Sequence, residues 1–548
     1  MLPGDSAALR KARGAFFTPQ PVARFIADWA VKSEDDAILE PSCGEAIFLH
    51  EAGRDGRHQG ALDGVELHSP SAAESERTLR AEGIRASIRS GDFFACTPDG
   101  SYDAVIGNPP YVRYQDFSGD ARLRAREAAL RAGVSLTGLA SSWAAFTVHS
   151  ALFLKEGGRL GLVLPAELLT VNYAADVRRF LMQHFRSVGL VLFVDRVFPG
   201  VQEEVVLLLA DGFGRSGTKG TDHCDIFQVQ DAAALSEFAM GRKWKPSSPS
   251  AKWSGLMLSG AADAAYVTAT GSSGFSELQA WGETTLGMVT GNNKYFALSP
   301  TRVEELGLVQ SDLIRLSPPG SRHLRGLSFT NRSHSALGDR GAATWLFRPV
   351  QDPSPAARKY IEAGEAAGVH LAYKCRVRNP WWRVPYVRQA DLFLTYMNAD
   401  TPRITTNRAG AHHLNSVHGI FLRAEYRDIG AQLLPLASLN SMTLLGAETV
   451  GRAYGGGMLK LEPREADVLP VPSVELVGAH RVELLALRRP VSDHLRGGRL
   501  LDAVRLVDDV LLAGALGLRD REIDAVREAR AEMTKRRVAR GREVAPRG

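Results

Sequence analysis

Tyr102-Asp103-Ala104-Val105-Ile106-Gly107-Asn108-Pro109-Pro110-Tyr111 is the stretch from which the fold is read. Ala104-Val105-Ile106 is a short apolar run, the pattern of a buried strand. Two successive prolines end it, because neither can donate to a strand ladder. Asn108 precedes a proline and is driven toward extended backbone. The result is a stiff loop at the carboxyl end of a strand, the edge at which open α/β sheets bind ligands. It carries an amide, backbone carbonyls and an aromatic ring at fixed offsets. Asn108 Oδ1 and the Pro109 carbonyl can both accept from an exocyclic –NH2 group, and Tyr111 offers a flat face to the ring bearing it. Taken alone, the loop also fits a structural turn with Tyr111 at its rim.

Upstream, three strands each end in an acid. Ala37-Ile38-Leu39-Glu40 leads into the small-residue turn Pro41-Ser42-Cys43-Gly44-Glu45-Ala46 and then an apolar helix. Such a turn lets a nucleotide-like ligand approach backbone N–H groups, with Glu40 placed to meet an ammonium. Neither Gly-Lys-Ser/Thr nor GxGxxG is present there, so a P-loop and a nicotinamide fingerprint are excluded. Leu62 to Leu67 is a second strand, with Glu66 where a carboxylate binds ribose hydroxyls. Ile84 to Phe94 is a third, with Asp92 able to accept from an adenine amino group and Phe93 able to cover its face. Before them all, Thr18-Pro19 is a helix-entry signal for the apolar-periodic segment Pro21 to Ala30.

Downstream, Arg159 to Pro165, Leu190 to Asp195 and Val205 to Leu209 are strands separated by helical or turn segments. Alternating strands and helices predict an α/β, doubly wound Rossmann-like sheet. The last two strands, close across a turn, predict an antiparallel hairpin at its edge. Phe198, in that turn, is a second candidate aromatic for a target pocket.

The chain has 548 residues, net charge +5 and pI about 9.0, so several domains and a polyanionic partner are compatible with it. Four scattered cysteines form no CxxC pair, which points away from disulfide and zinc scaffolds and toward a reducing compartment. No apolar run reaches membrane length. No signal-peptide pattern opens the sequence.

The ordered set resembles the S-adenosylmethionine-dependent N6-adenine DNA methyltransferases of the gamma motif arrangement. Phe17-Thr18-Pro19 is similar to their N-terminal cofactor motif, and Glu40-Pro41-Ser42-Cys43-Gly44 to motif I. Glu66 matches motif II, Asp92-Phe93 motif III, Asn108-Pro109-Pro110-Tyr111 motif IV and Phe198-Pro199 motif VIII. One departure is Ala46, where the family often has a second glycine. The resemblance implies that Thr18, Glu40, Pro41, Cys43, Gly44, Glu66, Asp92, Phe93 and Asn108 lie at the S-adenosylmethionine site. It implies catalysis by Asn108, Pro109, Pro110 and Tyr111 on a flipped-out adenine, with Phe198 packing on the base. No metal and no covalent nucleophile is required.

Residues 1–240 are thus expected to form the catalytic domain, 241–475 a mixed α+β DNA target-recognition domain and 476–548 a helical segment with a basic tail. The recognition region interleaves cations with aromatics. Lys294, Arg376, Arg378, Arg383, Asn407 and Arg408 are the candidate DNA contacts, since Arg and Lys suit phosphates or guanine edges and Asn suits adenine. Trp381-Trp382 reads as core. Arg403, His412 and His413 read as added polar reach, the two histidines on a solvated loop. The expected function is adenine-N6 modification of double-stranded DNA in a restriction-modification or defence system. A separate cognate restriction endonuclease is a candidate partner, and the expected location is bacterial-type cytoplasm. Two alternatives remain: methylation of another planar amino group (an RNA base or a protein glutamine), and a DNA-binding protein with an inactive methyltransferase fold.

Overall fold

The structure, a computed structural model, describes residues 18–541 except 57, 113–115, 139, 195–196, 198–203, 217–219, 238–240, 247 and 350–351. The chain divides into two compact units, the first ending at Leu256 and the second starting at Met257.

Nine strands make the sheet of the first unit: β1 (Ile38–Glu40), β2 (Leu62–Glu66), β3 (Ser87–Ser90), β4 (Tyr102–Gly107), β5 (Leu154–Pro165), β6 (Phe185–Phe193), β7 (Val205–Phe213), β8 (Cys224–Val229) and β9 (Arg242–Trp244). Their order is β3-β2-β1-β4-β5-β7-β6-β8-β9. β1 pairs in parallel with both β2 and β4. The chain therefore winds outward in opposite directions from the β1/β4 junction, and the crevice at the carboxyl ends of that pair is the switch point. The expected hairpin forms, with β6 antiparallel to β7, and β7 antiparallel to β5. It is not the edge of the sheet. β8 adds in parallel to β6, and β9 closes the row.

Helix Gln20–Ala30 buries Val22, Ala23, Ile26, Ala27 and Ala30, one apolar stripe of helical period. It sits tightly on the sheet: a Cβ at Gly161 in β5 would lie 2.8 Å from Ile26. Buried Glu51 holds the start of this helix, accepting from Gln20 Nε2 (2.8 Å) and Arg24 Nε (2.9 Å). That anchorage positions Thr18, just before the helix.

Beneath the end of β3 lies an aromatic cluster. Phe93 stacks on Phe146 (5.5 Å) and Phe153 (5.1 Å), and His149 meets its edge at 4.8 Å. His149 is wholly buried, with Nε2 3.2 Å from the Phe93 carbonyl. Burial pushes its pKa down to about 4. The unfolded imidazole takes its proton near pH 6.5, so the folded unit is fully stable above that value and loses stability as pH falls toward 4. This one group is expected to cost about 2 kcal/mol at pH 5. Urea midpoints at pH 7 and pH 5 should therefore differ less for His149→Phe than for the parent; equal differences would remove His149 as the source.

The second unit carries a five-stranded sheet ordered Gly282–Leu286, Val417–Leu422, Leu392–Thr395, Ile404–Asn407, Ser328–Phe329. Its core joins Leu392, Ile420 and Leu433 to Leu484, Val491, Val504 and Leu511. The helices after 476 thus share one core with the residues before them. At the other end, Trp253 N–H donates to the Leu169 carbonyl at 2.7 Å, which ties the chain beyond 240 to the first unit. Among the described residues no helix is long and apolar enough to cross a membrane, and no cluster of His, Cys, Asp or Glu could hold a metal.

Candidate functional site

The β1/β4 switch point gathers residues from several sequence-distant segments. Asn108 follows β4 directly. Its Nδ2 donates to Thr18 Oγ1 at 3.2 Å, and its Oδ1 accepts from the Tyr111 hydroxyl at 2.8 Å. Both ends of the amide are therefore held. The Tyr111 hydroxyl also lies 3.0 Å from the Val163 carbonyl of β5. Ser142 latches the loop from the other side: its Oγ donates to the Pro110 carbonyl and accepts from Val112 N–H. Among the described residues no donor meets the Pro109 carbonyl.

Motif I lies against this loop. A Cβ at Gly107 would sit 3.5 Å from Pro41 Cδ and 3.7 Å from Glu40 Cγ. Glu40, at the end of β1, is 1% exposed and accepts from Leu49 N–H at 3.1 Å. Burial holds its carboxyl well above the usual range, with the Glu66 charge adding to the effect. Glu66, at the end of β2, accepts from Gly44 N–H (3.0 Å) and His68 N–H (2.8 Å). Among the described residues neither carboxyl meets a Lys or Arg. Gly44 is left-handed at φ +52°, and nothing stands within 4 Å of where its Cβ would be, so the turn opens onto free space. Ala46 is left-handed too, at φ 54°, the conformation that favours the glycine found there in the resembling family. Cys43 is buried, and burial raises its thiol pKa.

Several expectations require correction. Phe93 is 3% exposed within the aromatic cluster, so it has no free face for a cofactor base. Asp92 caps Phe94 N–H (3.0 Å) with one oxygen and pairs with Arg124 (2.7 Å) through the other. Tyr111 is 8% exposed, so the open flat face expected of it is absent; its hydroxyl instead orients Asn108. Phe198 lies outside the described residues. The Thr18 and Ser142 contacts were not legible, because no sequence signal pairs residues so far apart.

In the second unit, Lys294 is exposed on the rim of a cleft of about 650 Å³ that Tyr295, Arg302 and Tyr360 also line. Arg376, Arg383 and Arg408 are exposed as well. Arg378 is not a free cation. It donates to the carbonyls of Thr290 (2.8 Å) and Val289, and burial lowers its pKa. Asn407 spends its amide on the Ala390 and Ala411 carbonyls and on Ala411 N–H. His412, His413 and Arg403 are buried, not solvated. Tail residue Arg537 is 2% exposed and paired with Glu448.

A mixed α/β sheet with the Asn-Pro-Pro-Tyr loop at its switch point is the arrangement expected from the methyltransferase resemblance. Comparison with known proteins narrows the class. Residues 67–198 match the model for the Eco57I restriction-modification methylase, and residues 250–512 that for the C-terminal domain of Type II methyltransferase M.Eco57I. Type II methyltransferase M.XamI of Xanthomonas campestris pv. amaranthicola is 25% identical over 84% of this chain and 85% of its own length. Type II methyltransferase M.AccI of Acinetobacter calcoaceticus is 22% identical over 83% and 84%. The crystal structure of the type IIG restriction endonuclease BpuSI aligns with 97% of this chain and 67% of its own, at 14% identity and TM-score 0.43. Over most of its length the chain is similar to DNA methyltransferases of restriction-modification systems.

Proposed function

We propose that this protein transfers a methyl group from S-adenosylmethionine to N6 of a flipped-out adenine in double-stranded DNA, as the modification partner of a separate restriction endonuclease. The observation that carries this reading is the clamped amide of Asn108 beside a Pro109 carbonyl that no donor among the described residues meets. Together they form a preorganised pair of acceptors for one –NH2 group.

The residues at the β1 and β2 ends suit the cofactor. Two carboxyls without a cationic neighbour among the described residues favour a cationic ligand, and the space before Gly44 admits it. Glu40 would hold the ammonium and Glu66 the ribose hydroxyls, with Thr18, Pro41 and Gly44 completing the wall. When bound, the cofactor supplies an electrophilic methyl group. The protein supplies position and polarity. Asn108 Oδ1 keeps a second lone pair for the target amino group. The Pro109 carbonyl takes the other amino hydrogen. Accepting both hydrogens raises electron density on the nitrogen and fixes the direction of its lone pair. Tyr111 and Thr18 hold the amide in that orientation, and Pro110 stiffens the loop. Pro109 and Tyr111 are buried, which keeps water from that side of the loop and strengthens these contacts.

Because its carboxyl pKa is raised, Glu40 exposes its full charge to a ligand only at higher pH. The affinity ratio between parent and Glu40→Gln for S-adenosylmethionine is therefore expected to grow with pH, reaching about 10- to 100-fold once Glu40 is ionised. Calorimetric titrations from pH 6 to 9 test this. A ratio independent of pH would take Glu40 out of ammonium binding.

The reading as a whole is tested by incubating the protein with labelled S-adenosylmethionine and unmethylated genomic DNA, then separating the nucleosides. Label is expected in N6-methyladenine. Label in another base, in RNA or in protein would overturn the reading.

A further inference from the structure

Residues 366–390 hold five cations (Lys374, Arg376, Arg378, Arg383 and Arg388) and no Asp or Glu. Between positions 371 and 377 three large apolar side chains point to solvent: Leu371 at 65%, Tyr373 at 64% and Val377 at 63% exposure. Exposed apolar groups this close together, in a segment only 7 residues long, mark a contact surface. Tyr373 and Val377 are one helical turn apart and share a face. Lys374 Nζ lies 5.5 Å and Arg376 Cζ 6.0 Å from the centre of the Tyr373 ring.

The projection is held from below. Cys375 is fully buried, with Sγ 3.6 Å from the Thr290 carbonyl, and Val369 is buried beside it. Arg378 fastens the far end to the carbonyls of Val289 and Thr290. Gly291 permits the approach: at φ +86°, a Cβ there would stand 2.9 Å from Lys374 Cβ. Inward-facing residues thus anchor the segment, leaving an apolar tip flanked by positive charge.

We propose that this projection is a duplex-contacting edge of the second unit, with Tyr373, Leu371 and Val377 packing against bases and sugars while Lys374 and Arg376 take phosphates. The inference rests on DNA being the substrate, as proposed above. Charge selects the occupant: a tip flanked by Lys374 and Arg376 fits a polyanion, and the apolar surface between them fits the faces and edges of bases. Arg378, expected from sequence to touch DNA, becomes instead a positioning residue for the tip.

Two terms separate in one experiment. Filter binding of the full-length protein to labelled, sheared, unmethylated genomic DNA is measured across a salt series. Tyr373→Ala is expected to weaken binding roughly 5- to 150-fold at every salt concentration, with the slope of log K against log [salt] unchanged. Tyr373→Phe should bind as the parent does. Arg376→Gln should weaken binding and lower the slope by about one. Both side chains are exposed, and thermal melting of each variant confirms that the fold is retained. If the parent binds and methylates DNA while Tyr373→Ala and Arg376→Gln bind equally well, the projection belongs to something else, an acidic protein partner being the next occupant. If the parent neither binds nor methylates DNA, the substrate assignment itself fails, and this inference fails with it.

Discussion

Asn108→Ala is expected to lower the rate of methyl transfer by about 10²- to 10³-fold, the scale seen when one preorganised polar group is removed from a reacting centre. DNA affinity should change little. The amide is held by Thr18 at 3.2 Å and Tyr111 at 2.8 Å, so its orientation is set before any substrate arrives. Alanine removes the acceptor for the target nitrogen and one acceptor of the Tyr111 hydroxyl, which keeps the Val163 carbonyl. The loss falls on the transition state, where the nitrogen gains positive character, and so on the chemical step. Single-turnover transfer with labelled S-adenosylmethionine and excess DNA isolates that step. Turnover within a few-fold of the parent would sink the assignment of Asn108, whatever the DNA affinity.

Arg537→Met is expected to destabilise the second unit by about 3–5 kcal/mol, because it leaves a buried carboxylate without its partner. Glu448 and Arg537 meet through two bonds, Nε–Oε2 at 3.0 Å and Nη2–Oε1 at 2.8 Å, with both side chains almost wholly enclosed. Thr534 adds a hydroxyl to Glu448 at 2.8 Å. The guanidinium also reaches the carbonyls of Gly457 and Asp400, so it binds helix Asp520–Gly541 to the loop after Tyr454. That loop comes close only because Gly457 lacks a side chain: a Cβ there would lie 2.9 Å from Val538 Cα. Replacing both partners by apolar residues of similar volume should recover most of the loss, since neither charge is then stranded. Urea unfolding of the full chain measures the difference. A cost under about 1 kcal/mol would mean the pair is solvated in solution, as surface pairs are.

The catalytic half was legible because its signals are local. An apolar run followed by Asn-Pro-Pro ends a strand whatever surrounds it, since proline removes the donor and fixes φ. Glu40, Glu66 and Asp92 each close a strand that the hydrophobic pattern delimits, and β1, β2 and β4 carry the first two of these acids and Asn108 to one edge of the sheet. The second unit was far less legible. Its strands are two to six residues long, its loops carry much of the polar surface, and its core draws on residues from Leu278 to Leu511.

Polar residues mark the division most clearly. Arg376 and Arg378 are two positions apart and chemically identical, yet one is exposed and the other donates to backbone carbonyls. Asn407 and Arg408 divide the same way. Lys535 to Arg540 reads as a solvated basic tail, but Arg537 lies on the inward face of its helix and meets a carboxylate 89 positions away. The sequence by itself determined the order of strands and acids, the stiff Asn-Pro-Pro-Tyr loop and its place at a strand end, because backbone dihedrals and hydrophobic periodicity act over a few residues. Only the tertiary structure decided which side chains remain free to act. A side chain's burial and partners depend on segments that meet it from far along the chain, and these turned Phe93, Arg378, Asn407 and Arg537 inward while leaving Tyr373 at the surface.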